Sequence, residues 1–466
     1  MKLPANLNLF EMPRKNGAAN KLDTEDQPVH DWYRFVLSFP PHLVRKYIRK
    51  FEIDHRCIVL DPFCGTGTTV VECKKLGVPA IGIEAHPVLH FASAVKVDWS
   101  PEPDDLIQHA KRISQKALDI LSKDGIDDEA TPKNTKRTQH LQTIAPEAYQ
   151  LLLTNSISPL PLHKTLVLLE TINANKNDQC YRHELLALAK ALVASIGNLE
   201  FGPEVGVGPP KTDTPVVSMW FNHVTEMAYD LRLVKNLERS DVKVYRSDSR
   251  KIEQFITENS VDAVFTSPPY PNEKDYTRTT RLESVILGFI RTRTDLRALK
   301  QDLIRSNTRN VYKGDSDDAW VAEHLEIQKI AADIERRRTE LGKTSGFERL
   351  YHKVTKLYFG GMAQHLAGLR KILKPGARLG YVVGDQASYL RVMIRTGQLL
   401  ASIAESFGYE VESIDLFRTR LATATREQLR EEVVVLRWPG IKKARTQASR
   451  IPNHSFAGST YGKRQS

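Results

Sequence analysis

The sequence predicts an α/β protein built on a doubly wound parallel sheet that two long insertions interrupt. Residues 57–61 (CIVLD) form a short apolar run, and a glycine-rich turn and a helix through about Leu76 follow it. Residues 79–84 (PAIGIE) form a second run of the same kind. A strand, a turn, a helix and another strand in this order open a doubly wound parallel sheet.

Two helices flank the predicted strands. Residues 39–51 (FPPHLVRKYIRKF) predict a helix entered through Pro40-Pro41, and its apolar stripe is formed by Leu43, Val44, Tyr47 and Ile48. A longer helix over 354–373 is predicted to stop at Lys374-Pro375-Gly376, because this tripeptide ends helices.

Five further segments are read as strands, and they set the boundaries of the sheet. Strands are predicted at 242–246, 261–265 and 378–384, with an antiparallel closing pair at 409–417 and 432–438. The sheet-forming unit therefore takes 39–100, 240–270 and 350–440, and the rest falls into a lead-in (1–38), a helical insertion (101–239), a basic helical insertion (271–349) and a basic tail predicted to be disordered (441–466).

Composition narrows the class of protein. The formal net charge of +11 favours an anionic partner, nucleic acid first, although a basic surface without a partner is an equal alternative. The four cysteines form no CxxC pair, so no metal site is predicted, and their small number indicates a reduced, cytoplasmic setting. No apolar stretch is long enough to cross a membrane.

The first motif with chemical meaning is Asp61–Thr69 (DPFCGTGTT), where a strand gives way to a helix. Gly65 and Gly67 permit a tight turn and a close approach of ligand to backbone. Val70 stands where a dinucleotide-binding fingerprint needs a third glycine, which argues against that class. Glu84 ends the next strand, and a carboxylate there can accept hydrogen bonds from both hydroxyls of a ribose. A structural turn beside a surface acid is the plainer alternative.

The second motif is Thr266–Tyr270 (TSPPY), directly after the apolar run VDAVF. Its two prolines fix the backbone and remove two N–H donors, so the neighbouring carbonyls face no competing donor. Ser267 adds a side-chain acceptor and Tyr270 a flat ring. The combination suits a planar group that bears an amine, whereas the double proline by itself is typical of an ordinary turn.

Taken together, DPFCGTGTT and TSPPY resemble the cofactor and catalytic loops of the DNA amino-methyltransferases, which modify cytosine N4 or adenine N6. FPPHLVRKYI (39–48), RSDSR (246–250) and KPGARLGYVVGD (374–385) resemble three further segments of that family. The likeness covers about 39–98 and 242–285, and less specifically 350–438. It implies a Rossmann-like methyltransferase sheet, and it leaves both insertions without a counterpart.

The resemblance also implies a cofactor and a set of site residues. S-adenosyl-L-methionine is the implied cofactor, bound by Phe39, Pro40, Asp61, Pro62, Phe63, Gly65, Gly67, Thr68, Thr69, Glu84, Asp248 and Thr266. The implied catalytic residues are Ser267, Pro268, Pro269 and Tyr270. Ser267 Oγ and the Pro268 carbonyl would hold the amine, and Tyr270 would stack on a base flipped out of double-stranded DNA. Cys64, inside the cofactor turn, is interpreted as a packing residue.

The insertions are expected to contact DNA, because both leave the sheet at the carboxyl ends of strands, where ligands of such sheets bind. Either insertion is a candidate for target recognition. The second holds a run of basic residues after TSPPY, of which Arg278 and Arg281 are the predicted DNA-binding residues. A solvated helix face is an equal alternative for this run.

Two hypotheses concern the atom that is methylated, most simply cytosine N4, and the biological setting, a restriction-modification or defence system. In the family, serine before the double proline goes mostly with cytosine N4 and aspartate with adenine N6. A serine hydroxyl can accept from the amine and donate to cytosine N3, but adenine N1 offers a similar acceptor. RNA or protein amino-methylation and a catalytically silent DNA-binding regulator remain alternatives, although Gly65, Glu84 and Tyr270 argue against silence. A cognate restriction endonuclease is a candidate partner, and the oligomeric state stays open.

Overall fold

A computed structural model describes residues 22–34, 38–129, 140–201, 204–237, 240–272, 274–421 and 428–440. The predicted lead-in (1–38) therefore lies largely outside the described residues, and the predicted disordered tail (441–466) lies wholly outside them. In the described ranges, none of the helices combines the length and the apolar character that crossing a membrane would require.

The described residues form one seven-stranded sheet and one small hairpin. The strands in chain order are β1 (Val59–Asp61), β2 (Ala80–Ile83), β3 (Leu199–Phe201), β4 (Val205–Val207), β5 (Val242–Tyr245), β6 (Val261–Thr266), β7 (Leu373–Gly384), β8 (Glu410–Leu421) and β9 (Gln428–Arg437). The large sheet has the order β5-β2-β1-β6-β7-β9-β8, and β3 pairs with β4 alone.

The large sheet is parallel from β5 to β7 and antiparallel beyond it. β1 pairs in parallel with β2 and β6, β2 with β5, and β6 with β7, whereas β9 lies antiparallel between β7 and β8. The predicted doubly wound, mostly parallel sheet is confirmed. The KPG turn after the long helix lies inside β7, where the pairing with β6 shifts register between Val261 and Ala263.

Fifteen helices surround these strands within the described ranges. They are α1 (Gln27–His30), α2 (Pro41–Lys50), α3 (Thr68–Lys75), α4 (Pro87–Lys96), α5 (Pro103–Lys123), α6 (Pro146–Tyr149), α7 (Pro159–Ala174), α8 (Tyr181–Ala191), α9 (Val216–Val234), α10 (Tyr276–Thr279), α11 (Arg281–Ile286), α12 (Arg293–Asp302), α13 (Leu325–Glu340), α14 (Tyr351–Ile372) and α15 (Thr396–Ser406).

Side chains of the sheet alternate between two hydrophobic clusters, one on each face. Val59 and Phe265 belong to the first cluster, and Leu60 and Val264, their neighbours in sequence, belong to the second. Successive residues of a strand point to opposite faces, and a strand buried on both faces is therefore apolar throughout. The first cluster includes α2, α3, α4 and the helical insertion, and the second includes α13, α14 and α15.

The helical insertion (101–239) packs into the first cluster. Its helices α5, α7, α8 and α9 contribute residues such as Leu168, Leu186 and Trp220 to the same cluster as Val59 and Ala80 of the sheet. The insertion also holds the β3–β4 hairpin, which the helical interpretation missed because each of its strands is only three residues long.

Candidate active site at the carboxyl ends of the strands

A cavity of about 610 Å³ lies where the parallel strands end. The carboxyl ends of parallel strands meet at one edge of a sheet, so the segments that follow β1, β2, β5, β6 and β7 all reach this cavity. Both sequence motifs are among these segments: the DPFCGTGTT turn follows β1, and TSPPY follows β6, the neighbouring strand.

The turn after β1 depends on two glycines with positive φ. Gly67, with φ of 90°, caps the N-terminus of α3, and a Cβ there would stand 3.0 Å from Ser93 Cβ. Gly65 has φ of 53°, and a Cβ there would meet nothing within 4 Å. Gly67 is therefore required by packing, whereas Gly65 leaves open space beside the backbone at the cavity wall.

Glu84 lies between this turn and the start of α4. Its Oε2 accepts a hydrogen bond from Gly65 N at 2.8 Å, and its Oε1 accepts one from His86 N at 2.7 Å. Burial raises the pKa of Glu84 to about 7, despite these two donors. A carboxylate has about four acceptor positions, so Glu84 retains acceptor capacity toward the cavity that it lines.

Asp61, Thr69 and Thr266 connect the two motif loops from behind the cavity. Thr266 Oγ1 donates to Asp61 Oδ1 at 2.5 Å, and Thr69 Oγ1 donates to the carbonyl of Phe265 at 3.1 Å. All three side chains are buried, and burial raises the pKa of Asp61 to about 6. They fix the distance between the turn after β1 and the loop after β6.

The loop after β6 presents its polar groups to the cavity. Ser267 Oγ donates a hydrogen bond to the carbonyl of Val382 at 3.0 Å. A carbonyl can only accept, so the hydroxyl proton is committed to Val382. Ser267 also hydrogen-bonds the Tyr270 side chain, and Oγ keeps acceptor capacity toward the cavity besides that contact. The Tyr270 ring packs on Gly384, where a Cβ would stand 3.0 Å from Tyr270 Cε2, and burial raises the pKa of the Tyr270 hydroxyl.

A charged wall stands beside TSPPY and comes from the β8–β9 hairpin and Lys274. Arg418 forms a paired contact with Glu431, at 2.6 Å and 3.0 Å, and Arg420 Nε lies 3.6 Å from the same carboxylate. Burial lowers the pKa of Lys274. This wall therefore places three basic side chains near the predicted catalytic loop, and two of them, Arg418 and Arg420, share the carboxylate of Glu431.

The cavity brings together most of the residues that the motifs predict. The lining includes Phe39, Pro62, Phe63, Gly65, Thr68, Glu84, Ser267, Pro268, Pro269 and Tyr270. Pro40, Asp61, Gly67, Thr69 and Thr266 lie behind the lining and support it. Cys64 is buried against Gly82, and burial raises the pKa of its thiol, which suits a packing role.

Asp248 and Arg281 are each hydrogen-bonded to neighbouring protein groups and do not line the cavity. The carboxylate of Asp248 accepts three hydrogen bonds from the Arg250 side chain and one from its backbone N–H, and the lining residues of this segment are Ser247 and Ser249. Arg281 donates to the carbonyls of Thr277 and Leu151 and to Thr277 Oγ1, so its guanidinium joins α11 to the helical insertion. Neither Arg278 nor Arg281 lines the cavity.

Sequence reasoning missed the part of the lining that comes from outside the motifs. The missed residues outside the motifs include Ser38, Ala85, His86, Leu89, Glu204, Asn272, Lys274, Asp302, Leu303, Ile304, Ser306, Asn310, Gln386, Ser388, Phe417, Arg418, Arg420 and Glu431. Thr66, inside the first motif, was also missed. The segment 302–310 and the β8–β9 hairpin had no motif to mark them. A polar residue such as Gln386 directly after an apolar strand was the one available signal.

No metal centre is found among the residues that the structure describes, because no three His, Cys, Asp or Glu side chains come together there. The four cysteines are free thiols, and Cys64, Cys73 and Cys180 are buried.

Known methyltransferases are similar in sequence to this chain. The sequence profile of the DNA methylase family matches residues 9–93. The type II methyltransferase M.AvaI of Nostoc sp. is 25% identical over 432 residues, which cover 89% of this chain and 87% of that protein. The type II methyltransferase M.BsoBI of Geobacillus stearothermophilus is 26% identical over 442 residues, covering 89% and 85%.

A third relative matches a shorter part of the chain. The type II methyltransferase M.MjaII of Methanocaldococcus jannaschii is 33% identical over 96 residues, which are 20% of this chain and 16% of that protein. The two long alignments span most of the sheet and both insertions, and the family profile spans the turn after β1. With the two motif loops on adjacent strands, these likenesses support an amino-methyltransferase family of the cytosine-N4 and adenine-N6 type.

Proposed function

We propose that this protein is a type II DNA methyltransferase that modifies the exocyclic amino group of a base, cytosine N4, as the modification enzyme of a restriction system. The observation that carries the proposal is the position of Ser267 and Tyr270 in one cavity with Glu84 and Gly65. The names of the relatives, type II methyltransferases, support the restriction setting and a cognate endonuclease as partner.

The cavity fits S-adenosyl-L-methionine at the end formed by β1 and β2. Glu84 offers acceptor positions that suit the two hydroxyls of a ribose. Gly65 leaves open space beside its backbone, and Phe39 adds an apolar wall, held by an edge-to-face contact with Phe265 at 5.8 Å. The bound cofactor supplies an activated methyl group.

The chain's own residues hold the amine and the ring. An amine conjugated to an aromatic ring is a weak nucleophile, so its hydrogens need acceptors that let the nitrogen become pyramidal. Ser267 Oγ and the Pro268 carbonyl would be these acceptors and Tyr270 would stack on the ring, a proposal supported by the position of all three residues in the cavity lining. Alignment of the reactants supplies much of the rate, roughly 7–11 kcal/mol in well-oriented cases. Neither acceptor is a strong base, so the methylated amine releases its proton to water.

The choice of cytosine N4 rests on Ser267 in the TSPPY loop. The hydrogen bond to Val382 bears on that choice, because the hydroxyl proton is not available to cytosine N3 while this bond lasts. Ser267 is then an acceptor toward the amine, and adenine N6 remains the second candidate. The serine that replaces aspartate in this loop is the feature that favours cytosine.

Double-stranded DNA with a flipped base is the proposed substrate. The net charge of +11 suits a polyanion, and the basic wall of Lys274, Arg418 and Arg420 borders the catalytic loop. Arg278 remains a proposed DNA contact, whereas a contact from Arg281 would have to break its bonds to Thr277 and Leu151.

The decisive experiment is nucleoside mass spectrometry on genomic DNA from cells that express the protein. N4-methylcytosine is the expected product, and an empty vector is the control. N6-methyladenine alone would overturn the choice of cytosine and keep amino-methylation, whereas no modified base in DNA would overturn the proposed function.

A further inference from the structure

Asn310, in the second insertion, holds an unpaired hydrogen-bonding atom at the cavity. It ends the short 3₁₀ helix Thr308–Asn310, lines the cavity and is only 1% exposed. Among the residues that the structure describes, no partner lies within hydrogen-bond distance of its Oδ1. A buried carbonyl without a partner costs about 1–3 kcal/mol, so a bound group that donates to it recovers that energy.

The neighbours of Asn310 show that the segment is firmly held. Asn307 Oδ1 accepts from the backbone N–H of Arg309 at 3.0 Å, and Asn307 Nδ2 donates to the carbonyl of Lys274 at 3.1 Å. Tyr389 donates to the carbonyl of Ser306 at 3.0 Å. The other asparagine of this segment thus has both ends of its amide hydrogen-bonded, whereas Asn310 Oδ1 at the cavity has no partner among the described residues.

The bonds of Asn307 and Ser306 show which strand ends this segment lies beside. Lys274 continues the catalytic loop after β6, and Tyr389 belongs to the segment after β7. The segment from Ser306 to Asn310 therefore spans the ends of β6 and β7, the strands beside which Ser267 and Gln386 enter the cavity. The turn that suits the cofactor follows β1 instead.

A base bound at this end brings a donor that can satisfy Asn310 Oδ1. An exocyclic amine carries two hydrogens, and with Ser267 Oγ and the Pro268 carbonyl as its other acceptors, one hydrogen would be shared between two acceptors. A side-chain carbonyl is also a test of base identity, since it attracts the amine of cytosine or adenine and repels the keto oxygen of thymine or hypoxanthine.

We propose that Asn310 is a specificity-determining residue whose Oδ1 accepts a hydrogen bond from the exocyclic amine of the flipped base. The inference rests on the proposed DNA methylation. The adenine of the cofactor also carries an aromatic amine, so the experiment separates the two sources of this group.

The test compares Asn310→Ala, the isosteric Asn310→Asp, and Asn307→Ala as the matched control from the same segment. The substrate is an unmodified duplex that carries the sequence the parent methylates. On it, N310A is expected to lower kcat/KM about tenfold. N310D is expected to fall between N310A and the parent, because an acceptor oxygen remains. N310A is expected to keep the parent's melting temperature and calorimetric Kd for S-adenosylmethionine. N307A breaks satisfied bonds and is expected to lower the melting temperature.

A second measurement reads specificity without turnover. The parent is expected to bind the duplex with its natural target better than the same duplex with a keto base there, uracil for cytosine or hypoxanthine for adenine, and N310A is expected to lose most of that preference. An unchanged preference in N310A and N310D overturns the proposal. So does a weaker Kd for S-adenosylmethionine with unchanged preference, which would assign the amine to the cofactor. A parent that methylates no DNA overturns the proposed function itself.

Discussion

Glu84 shows at the scale of one residue how burial sets the chemistry of the site. Its pKa, raised to about 7, lies well above the value of about 4.3 for an exposed glutamate. Between these two values the folded chain binds the proton and the unfolded chain does not. The contribution of Glu84 to stability therefore falls as pH rises from about 4.5 to about 7, and is smallest above 7.

The same shift predicts a pH dependence of cofactor binding. The ionised carboxylate is the better acceptor for two ribose hydroxyls, so the affinity for S-adenosylmethionine should rise from pH 6 to pH 8. Glu84→Gln should remove the step near pH 7 and weaken binding by about 1–3 kcal/mol at pH 8. Calorimetry on both proteins at pH 6, 7 and 8 measures it. An equal slope in parent and variant would contradict the assignment of Glu84.

Ser267 gives a second prediction at this scale. Ser267→Ala removes the oxygen proposed to accept from the amine and also the bond to Val382, and should lower kcat by at least about tenfold. The cofactor affinity should stay within twofold, because Ser267 lies after β6 and the turn that suits the cofactor follows β1. Single-turnover methylation and calorimetry measure the two quantities. Full activity would mean that the Pro268 carbonyl suffices.

At the scale of elements, α10 and α11 connect the TSPPY loop to the helical insertion. Arg281 supplies the connection, since its guanidinium donates to Leu151 in the insertion and to Thr277 in α10. The prediction that Arg281 binds DNA rests on its place after TSPPY in the sequence, which does not show what a side chain contacts in the fold. Its partner Leu151 lies 130 residues earlier in the chain.

A matched pair of variants separates the two arginines. Arg281→Ala should lower the stability by about 1–3 kcal/mol for its lost hydrogen bonds and leave the salt dependence of DNA binding unchanged. Arg278→Ala should reduce the slope of log K against log salt by about one and leave the melting temperature unchanged. Thermal melts and binding titrations at several salt concentrations measure both. A smaller slope of log K against log salt in Arg281→Ala would contradict a purely structural role for Arg281.

The motifs were predictable because they depend on local chemistry. Glycine at positive φ, as at Gly67, and proline after an apolar strand have the same meaning wherever they occur. Lys274, Asn310 and Arg418 were not predictable, since their place at the cavity depends on how the second insertion and the closing hairpin pack. The strand predicted at 378–384 begins instead at Leu373, because pairing with β6 extends β7 through the Lys374-Pro375-Gly376 turn. That pairing depends on the fold and cannot be seen in the local sequence.

At the scale of the whole molecule, the helical insertion and the sheet have one core. Trp220 on α9 is fully buried, donates to the carbonyl of Glu184 at 2.8 Å and shares its cluster with Val59 and Ala80 of the sheet. A shared cluster couples the two parts energetically, as in a single domain.

Trp220→Ala tests this coupling. It should destabilise the chain by about 3–5 kcal/mol, and the helices and the cofactor cavity should melt together at the lowered temperature. Circular dichroism follows the helices, and retention of labelled S-adenosylmethionine follows the cavity. Leu325→Ala, at a residue 85% exposed on α13, is the control and should change neither. A cavity that melts at the parent's temperature would show that the insertion folds separately.

The bond between Thr266 and Asp61 joins positions 205 residues apart, and this separation governs how the protein matures during translation. A ribosome adds about 5–20 residues per second, so about 10–40 seconds pass between the emergence of β1 and that of β6. Until then the nascent chain holds half of an active site and a strand with an open, apolar edge. The nascent chain is therefore inactive and vulnerable to aggregation throughout this interval, and methylation cannot begin before β6 has joined β1.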